Sequence, residues 1–297
     1  MQHLLGENRK SLARRATLLQ LSARKIADGM RSGTFKSLYY GHGIEFSGVR
    51  DYLRGDDVRS IDWNVTARLG KPYVKTFEEE RELNVLIIAD RSFSMTSGAG
   101  KKSRLETAME CASLLTLASE QNNSPVGAVI FDGEITFSSV PKAGRNQSLL
   151  LLTHFDEYNE NHKNGSALDS ALNGAERVLK KKSLIFIFSD FRTSLWEDPF
   201  ARLCAKHDVV AVRITDRLDE ELPSIGSIPF EDMESGRRVF LPTSSEEFKL
   251  AWENDNSRRV SDWKKLCLRH GAVPFEISTD SEPVVELSKF FSQRGQE

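Results

Sequence analysis

The chain has 297 residues, a length that fits one α/β domain with a smaller appendage. Basic and acidic residues number 41 and 43, a net charge of −2, which excludes a generally basic, nucleic-acid-coating surface. Three widely spaced cysteines, Cys111, Cys204 and Cys267, form no ligand spacing or disulfide framework. A reducing, cytoplasmic setting is therefore expected. No apolar run approaches the roughly 20 residues that span a bilayer, and the N-terminus lacks an apolar leader core, so no membrane insertion is expected.

Residues from Met1 to about Met30 read as a helix, with Leu12, Ala16, Leu19 and Ala23 at helical spacing. From Arg9 to Lys36 the basic residues face only Asp28 among acids. They are either a solvated face or a contact for an acidic partner, lipid or nucleic acid. From Arg31 to Glu82 glycines and alternating charges point to loops and short strands. Residues 1–82 are thus expected to form an appendage to a domain over 83–297.

Leu83 to Ala89 is a short continuous apolar run, as expected of a strand covered on both faces. Ser103 and Glu106 have capping-box spacing before a helix carrying Leu105, Met109, Ala112 and Leu115 on one side. Val126 to Phe131 and Ile135 to Val140 flank Asp132-Gly133, a hairpin signal. Ser166 and Asp169 have capping-box spacing before a helix with Leu168, Ala171, Leu172 and Ala175 inward. Leu184 to Ser189 and Val209 to Ile214 read as further buried strands. Glu234 to Arg237 reads as a turn between short strands. A helix from about Ser245, a strand over Val273 to Ile277 and a helix over Val284 to Phe291 complete the pattern. Such alternation predicts a doubly wound, mostly parallel sheet.

The chemistry gathers at Asp90-Arg91-Ser92-Phe93-Ser94, just beyond the first buried strand. Ligands of open α/β sheets bind at the carboxyl ends of the strands. One carboxylate and two hydroxyls are hard oxygen donors suited to magnesium or manganese. Asp190 ends another buried strand and can lie beside Asp90, and a divalent cation would relieve the repulsion between them. Ser166 can bring a further hydroxyl to the same edge. The bland alternative for each residue is a turn hydrogen bond or a helix cap.

Together these residues resemble the metal-ion-dependent adhesion site of von Willebrand factor A domains: Asp-x-Ser-x-Ser, a distant Thr, and a later Asp at a strand end. The resemblance implies that Ser92 and Ser94 hold the metal directly, and Asp90 and Asp190 directly or through water. Ser166 takes the place of the Thr, keeping the hydroxyl but losing the methyl that restricts its rotamer. It also implies that the last coordination position is left for a partner's carboxylate.

Gly41 to Trp63 (GHGIEFSGVRDYLRGDDVRSIDW), with Ala67-Arg68 and Val74 to Glu80, is similar to the signature of the domain-of-unknown-function 58 family. Members typically accompany MoxR-type AAA+ ATPases, so the resemblance implies an adaptor or chaperone-like role beside such a motor. In this segment Arg50, Arg54 and Arg59 interleave with Asp51, Asp56, Asp57 and Asp62. They are expected to form ion pairs that pin the appendage, with Phe46, Tyr52 and Trp63 as apolar anchors. The alternative is a docking surface.

Competing functions lack parts. A haloacid-dehalogenase-like phosphotransferase needs a second Asp two residues on, where Ser92 stands, and a metal-dependent phosphotransferase or hydrolase using Asp90 is the enzymatic alternative. A P-loop fails because Met95 replaces its first Gly and Lys102 its Ser or Thr. No nucleophile elbow or His-Glu-x-x-His pair occurs, and the histidines are scattered, with His42 between two glycines. Nucleic-acid binding by the basic N-terminal helix lacks aromatic interleaving. The expected function is a non-enzymatic, metal-dependent interaction module.

Overall fold

The computed structural model of the protein describes residues 23–30, 40–80, 83–100, 102–157, 165–224, 226–232 and 237–293. Most of the predicted N-terminal helix, the turn residues 234–236 and the side chain of His42 lie outside them.

Six strands form the central sheet, in the order β10-β7-β6-β3-β4-β5. These are β3 (Val85–Asp90), β4 (Val126–Phe131), β5 (Ile135–Lys142), β6 (Leu184–Ser189), β7 (Asp208–Thr215) and β10 (Val273–Ser278). All neighbours run parallel except β5, which returns antiparallel along β4 through the Asp132-Gly133 turn. Every residue of β3, β4 and β6 is buried. That is why their sequences are unbroken apolar runs instead of alternating ones. The expected mostly parallel α/β architecture is thus the one observed.

Helices cover both faces. On one side lie α3 (Arg104–Gln121), α4 (Arg145–Asp156) and α9 (Pro283–Gln293), packed on Ile87, Ala89, Phe186 and Phe188. On the other lie α5 (Leu168–Val178), α6 (Glu197–Lys206) and α8 (Glu246–Arg269), packed on Leu86, Ile88, Ile185 and Ile187. Two of the helices start as their sequences require. Ser103 and Glu106 close a reciprocal capping box on α3, and the Ser245 hydroxyl caps α8.

The helical segment 23–30 buries Ala23, Ile26, Ala27 and Met30 in the core shared by α3 and α9. At Gly29 an added Cβ would lie 2.6 Å from Phe291 Cβ. This end of the predicted appendage is therefore integral to the core of the sheet domain.

Ahead of the central sheet, β1 (Tyr40–Asp51) and β2 (Tyr73–Glu80) pair antiparallel. Their connection holds a 3-10 turn, Val58–Ser60, and a short helix α1 (Trp63–Leu69). β8 (Ser227–Asp232) and β9 (Arg237–Pro242) form a separate antiparallel pair. Among the described residues no helix is long and apolar enough to cross a membrane.

Candidate functional site

β3 is a switch point: the chain moves from it to β4 on one side and later to β6 on the other. In open α/β sheets the carboxyl end of such a strand is where ligands bind. Asp90 is the last residue of β3, in register with Phe131 of β4, while its preceding residue Ala89 pairs with Phe188 of β6. Ser189 therefore ends β6 beside Asp90, and Asp190 follows one residue beyond.

Asp90 is buried, and both of its oxygens are held. Oδ1 accepts the backbone N–H of Ser92 at 2.8 Å, and Oδ2 accepts the Ser189 hydroxyl at 2.6 Å. Burial, reinforced by the nearby charge of Asp190, pushes the Asp90 carboxyl up to about 7. The hydrogen bonds from Ser189 and Ser92 oppose this without overcoming it.

Ser92 begins a one-turn helix, α2 (Phe93–Thr96), at a position where a serine ordinarily caps. Its hydroxyl makes no cap bond; Oγ lies 3.2 Å from Ser94 Oγ. The two hydroxyls thus sit together beside Asp90. Intervening Arg91 turns away, its Nη2 donating to the Phe155 carbonyl at 2.9 Å and to that of His154, at the end of α4. A cation there complements the helix's carboxyl terminus.

Asp190 is also buried. Its Oδ1 accepts the Arg192 N–H at 3.1 Å. Among the described residues its Oδ2 accepts no hydrogen bond, and the nearest cation is Arg192 Nε at 3.8 Å. Ser166 reaches this end of the sheet from the β4 side, since Ala167 N donates at 2.8 Å to the carbonyl of Asp132, one residue past Asp90's register on β4. The expected capping box at Ser166 and Asp169 does not form. The chain enters α5 through Ala167, so Ser166 lies outside the cap position, and its buried Oγ has no hydrogen-bond partner among the described residues.

All five predicted residues, Asp90, Ser92, Ser94, Ser166 and Asp190, therefore lie at the carboxyl edge of β3 and its neighbours. Two carboxylates and three hydroxyls are hard donors, and two of these atoms, Asp190 Oδ2 and Ser166 Oγ, are buried without a partner. Buried polar atoms are normally satisfied, so the orphaned pair fits a set of ligands for a small divalent cation. No group of three or more His, Cys, Asp or Glu with metal-holding placement occurs among the described residues.

The support around this edge comes from residues that carry no sequence motif. Asp219 Oδ1 receives Arg104 Nη2 at 2.5 Å and also the Arg192 guanidinium. Asp219 lies in a short helix, α7 (Arg217–Glu220), capped by Asp216. Arg104 in turn donates to Ser97 Oγ at 2.6 Å, tying the loop after Ser94 to the same carboxylate. Asp216 Oδ2 accepts Thr279 Oγ1 at 2.7 Å and Ala99 N at 3.0 Å. Burial opposes ionisation of Asp216. Its hydrogen bonds from Leu218, Thr279 and Ala99 outweigh that and hold its pKa below the ordinary value. Phe191 and Leu195, in the loop after Asp190, adopt left-handed backbone angles (φ 53° and 68°). Such conformations cost roughly 1–3 kcal/mol each and persist where surroundings enforce them.

Comparison with known proteins agrees with the signature. The family described as "Protein of unknown function DUF58" matches residues 48–261. Uncharacterized proteins of Mycobacterium tuberculosis (Rv1480) and Mycobacterium bovis (Mb1516) are each 30% identical over 288 residues, covering 95% of this chain and 90% of theirs. Among solved structures, an aerotolerance-related membrane protein from Bacteroides fragilis aligns with 72% of this chain and 98% of its own, at 18% identity and a TM-score of 0.47. The SpRpn10 VWA domain aligns with 71% of this chain and 95% of its own, at 11% identity and a TM-score of 0.40.

Proposed function

The chain belongs to the DUF58 family, and we propose that it is a non-enzymatic interaction module whose Asp90–Asp190 site captures a partner's carboxylate in a magnesium- or manganese-dependent way. The observation that carries this reading is the burial of two neighbouring carboxylates, one with an oxygen that accepts no hydrogen bond. Ionising both without compensation is costly, and structures retain such pairs where a cation or a proton relieves them.

A divalent cation held by Asp90, Asp190 and the serine hydroxyls would supply that compensation and, in this reading, would take a partner's carboxylate as a further ligand. The residues of this chain do the rest. Ser189 and the Ser92 amide fix the Asp90 carboxylate in orientation. Ser92 and Ser94 present paired hydroxyls, and Ser166 adds a buried hydroxyl with no hydrogen-bond partner among the described residues. Asp219 steadies both flanking loops through Arg104 and Arg192. The Ser189 hydroxyl that touches Asp90 is itself fully buried and accepts the Phe191 N–H, so we read this pair as orienting the carboxylate and not as a nucleophile and its base.

The partner class in this reading is a MoxR-type AAA+ ATPase in the cytoplasm, served by the chain as an adaptor or chaperone-like subunit, an assignment that rests on the family signature. A pull-down with a purified MoxR-type ATPase, in magnesium and in excess chelator, tests it. Retention in magnesium only, lost with Asp90→Ala, supports the reading. Equal retention in chelator, or by Asp90→Ala, contradicts it.

A further inference from the structure

The connection between β1 and β2 is ordered in detail yet buries nothing in its helical parts. Neither the 3-10 turn nor α1 contains a buried residue. Trp63 is 65% exposed, Leu53 64%, Leu69 58% and Val58 57%. The expectation that Trp63 anchors the segment is therefore corrected. Ile61 bridges to Val74 and Asp62 caps α1, and between them they leave the indole in solvent.

This exposure belongs to a rigid frame. Asp62 accepts the N–H groups of Asn64 and Val65, and Gly70 closes α1 in the left-handed conformation. Asp62 N donates to the Tyr73 carbonyl at 2.8 Å, and Tyr73 N to Thr66 Oγ1 at 3.0 Å. Arg50 clamps Asp56 with two bonds of 2.6 and 2.7 Å. Ordering a chain without burying its apolar side chains gains little for folding alone. A pre-ordered apolar surface instead lowers the entropy lost on association.

The charges say what kind of surface fits. The acidic residues are engaged within the segment: Asp56 with Arg50, Asp57 and Asp62 as caps, and Asp51 with Tyr73. The exposed Arg54, Arg59, Arg68 and Lys71 have no ion pair among the described residues. The expected network thus reduces to Arg50–Asp56, because two of the other acids are consumed as helix caps. What remains exposed in this segment is four large apolar side chains and four cations without an ion pair among the described residues.

We infer that residues 53–71 form a second docking surface, separate from the Asp90 site, for a protein whose apolar pocket is rimmed by aspartate or glutamate. Trp63 is its central anchor, and tryptophan and arginine dominate binding energy at such interfaces. A protein fits better than nucleic acid or lipid on two counts. Residues 50–71 carry five basic against four acidic residues, too little net charge for a phosphate surface. Trp63 is the one exposed aromatic of the set, and Leu53, Val58 and Leu69 are aliphatic and offer nothing for stacking successive bases.

The test places a photo-cross-linking benzoylphenylalanine at Leu69, and separately at Leu53, in the full chain within its own cells. The cross-linked protein is then purified and its affinity measured directly. Expected are one protein labelled from both positions, through a surface where acidic residues surround apolar ones, and binding that weakens with salt. Trp63→Ala should weaken it roughly thirtyfold, and Arg59→Glu with Arg68→Glu roughly tenfold or more, with melting temperatures unchanged. Binding should persist in chelator and in Asp90→Ala, which separates this surface from the metal-dependent one. Absence of a cross-link, labelling of lipid, nucleic acid or a second copy of the chain, or an affinity unmoved by Trp63→Ala would each overturn the inference.

Discussion

The Ser189 hydroxyl donates to Asp90 Oδ2 at 2.6 Å, so the residue preceding one site carboxylate holds the other. The same Oγ accepts the Phe191 N–H at 3.1 Å, supporting the left-handed turn that presents Asp190. Ser189→Ala removes both bonds while leaving every proposed ligand in place. Groups that orient metal ligands typically contribute ten- to a hundredfold in affinity. Titration calorimetry should show magnesium binding weakened by roughly that factor, with the circular dichroism spectrum unchanged.

Asp90 also makes stability depend on pH in a particular direction. Its folded pKa of about 7 exceeds the unfolded value of about 3.9. Between these values the folded state binds more protons, so this group's contribution is full below about pH 4 and is lost as pH rises through about 7. In chelator, the stability of the wild type relative to Asp90→Asn should therefore fall across that window, by at most about 1.4 kcal/mol per pH unit. Above the window the difference should be flat. Urea unfolding at a series of pH values measures it, and a difference that grows with pH contradicts the buried-pair description.

Asp219 is the common acceptor of two arginines, one of them, Arg104, buried. Asp219→Ala leaves a buried guanidinium uncompensated and should cost about 3–5 kcal/mol in unfolding free energy. Asp219→Asn, which keeps an acceptor oxygen, should cost less. Denaturant unfolding of both variants checks the order, and equal losses would count against a charge-based role.

Gly29 tests the packing of 23–30 on α9. A methyl group at this position would lie 2.6 Å from Phe291 Cβ, too close to the helix to be relieved by a rotamer change. Gly29→Ala should destabilise the protein by roughly 1–3 kcal/mol despite its better helix propensity. A neutral or stabilising effect, read by thermal unfolding, would mean that this helix is not docked there.

What the sequence makes readable here follows interaction range. The strands bearing Asp90 and Asp190 announce themselves because parallel strands buried on both faces leave continuous apolar runs. The β4–β5 turn is equally plain in Asp132-Gly133. Ser166 is legible as a hydroxyl near the site but not in its local role, since the shift of the cap to Ala167 is coupled to a hydrogen bond with Asp132. Arg104, Arg192 and Asp219 carry no motif at all. Arg104 and Asp219 are 115 positions apart, and only the sheet's order brings them together. Trp63 misleads for the opposite reason: an aromatic beside Ile61 reads as core, while Asp62's cap places it in solvent.

The most direct measurement is the melting temperature of the full chain with and without magnesium, beside that of Asp90→Ala. A ligand that binds only the folded state stabilises it by about 2.7 kcal/mol at a hundred times its dissociation constant. The account predicts a melting temperature that climbs with magnesium concentration in the wild type and stays constant in Asp90→Ala. Identical melting in millimolar magnesium and in chelator, in a wild-type protein shown to be folded, would contradict it.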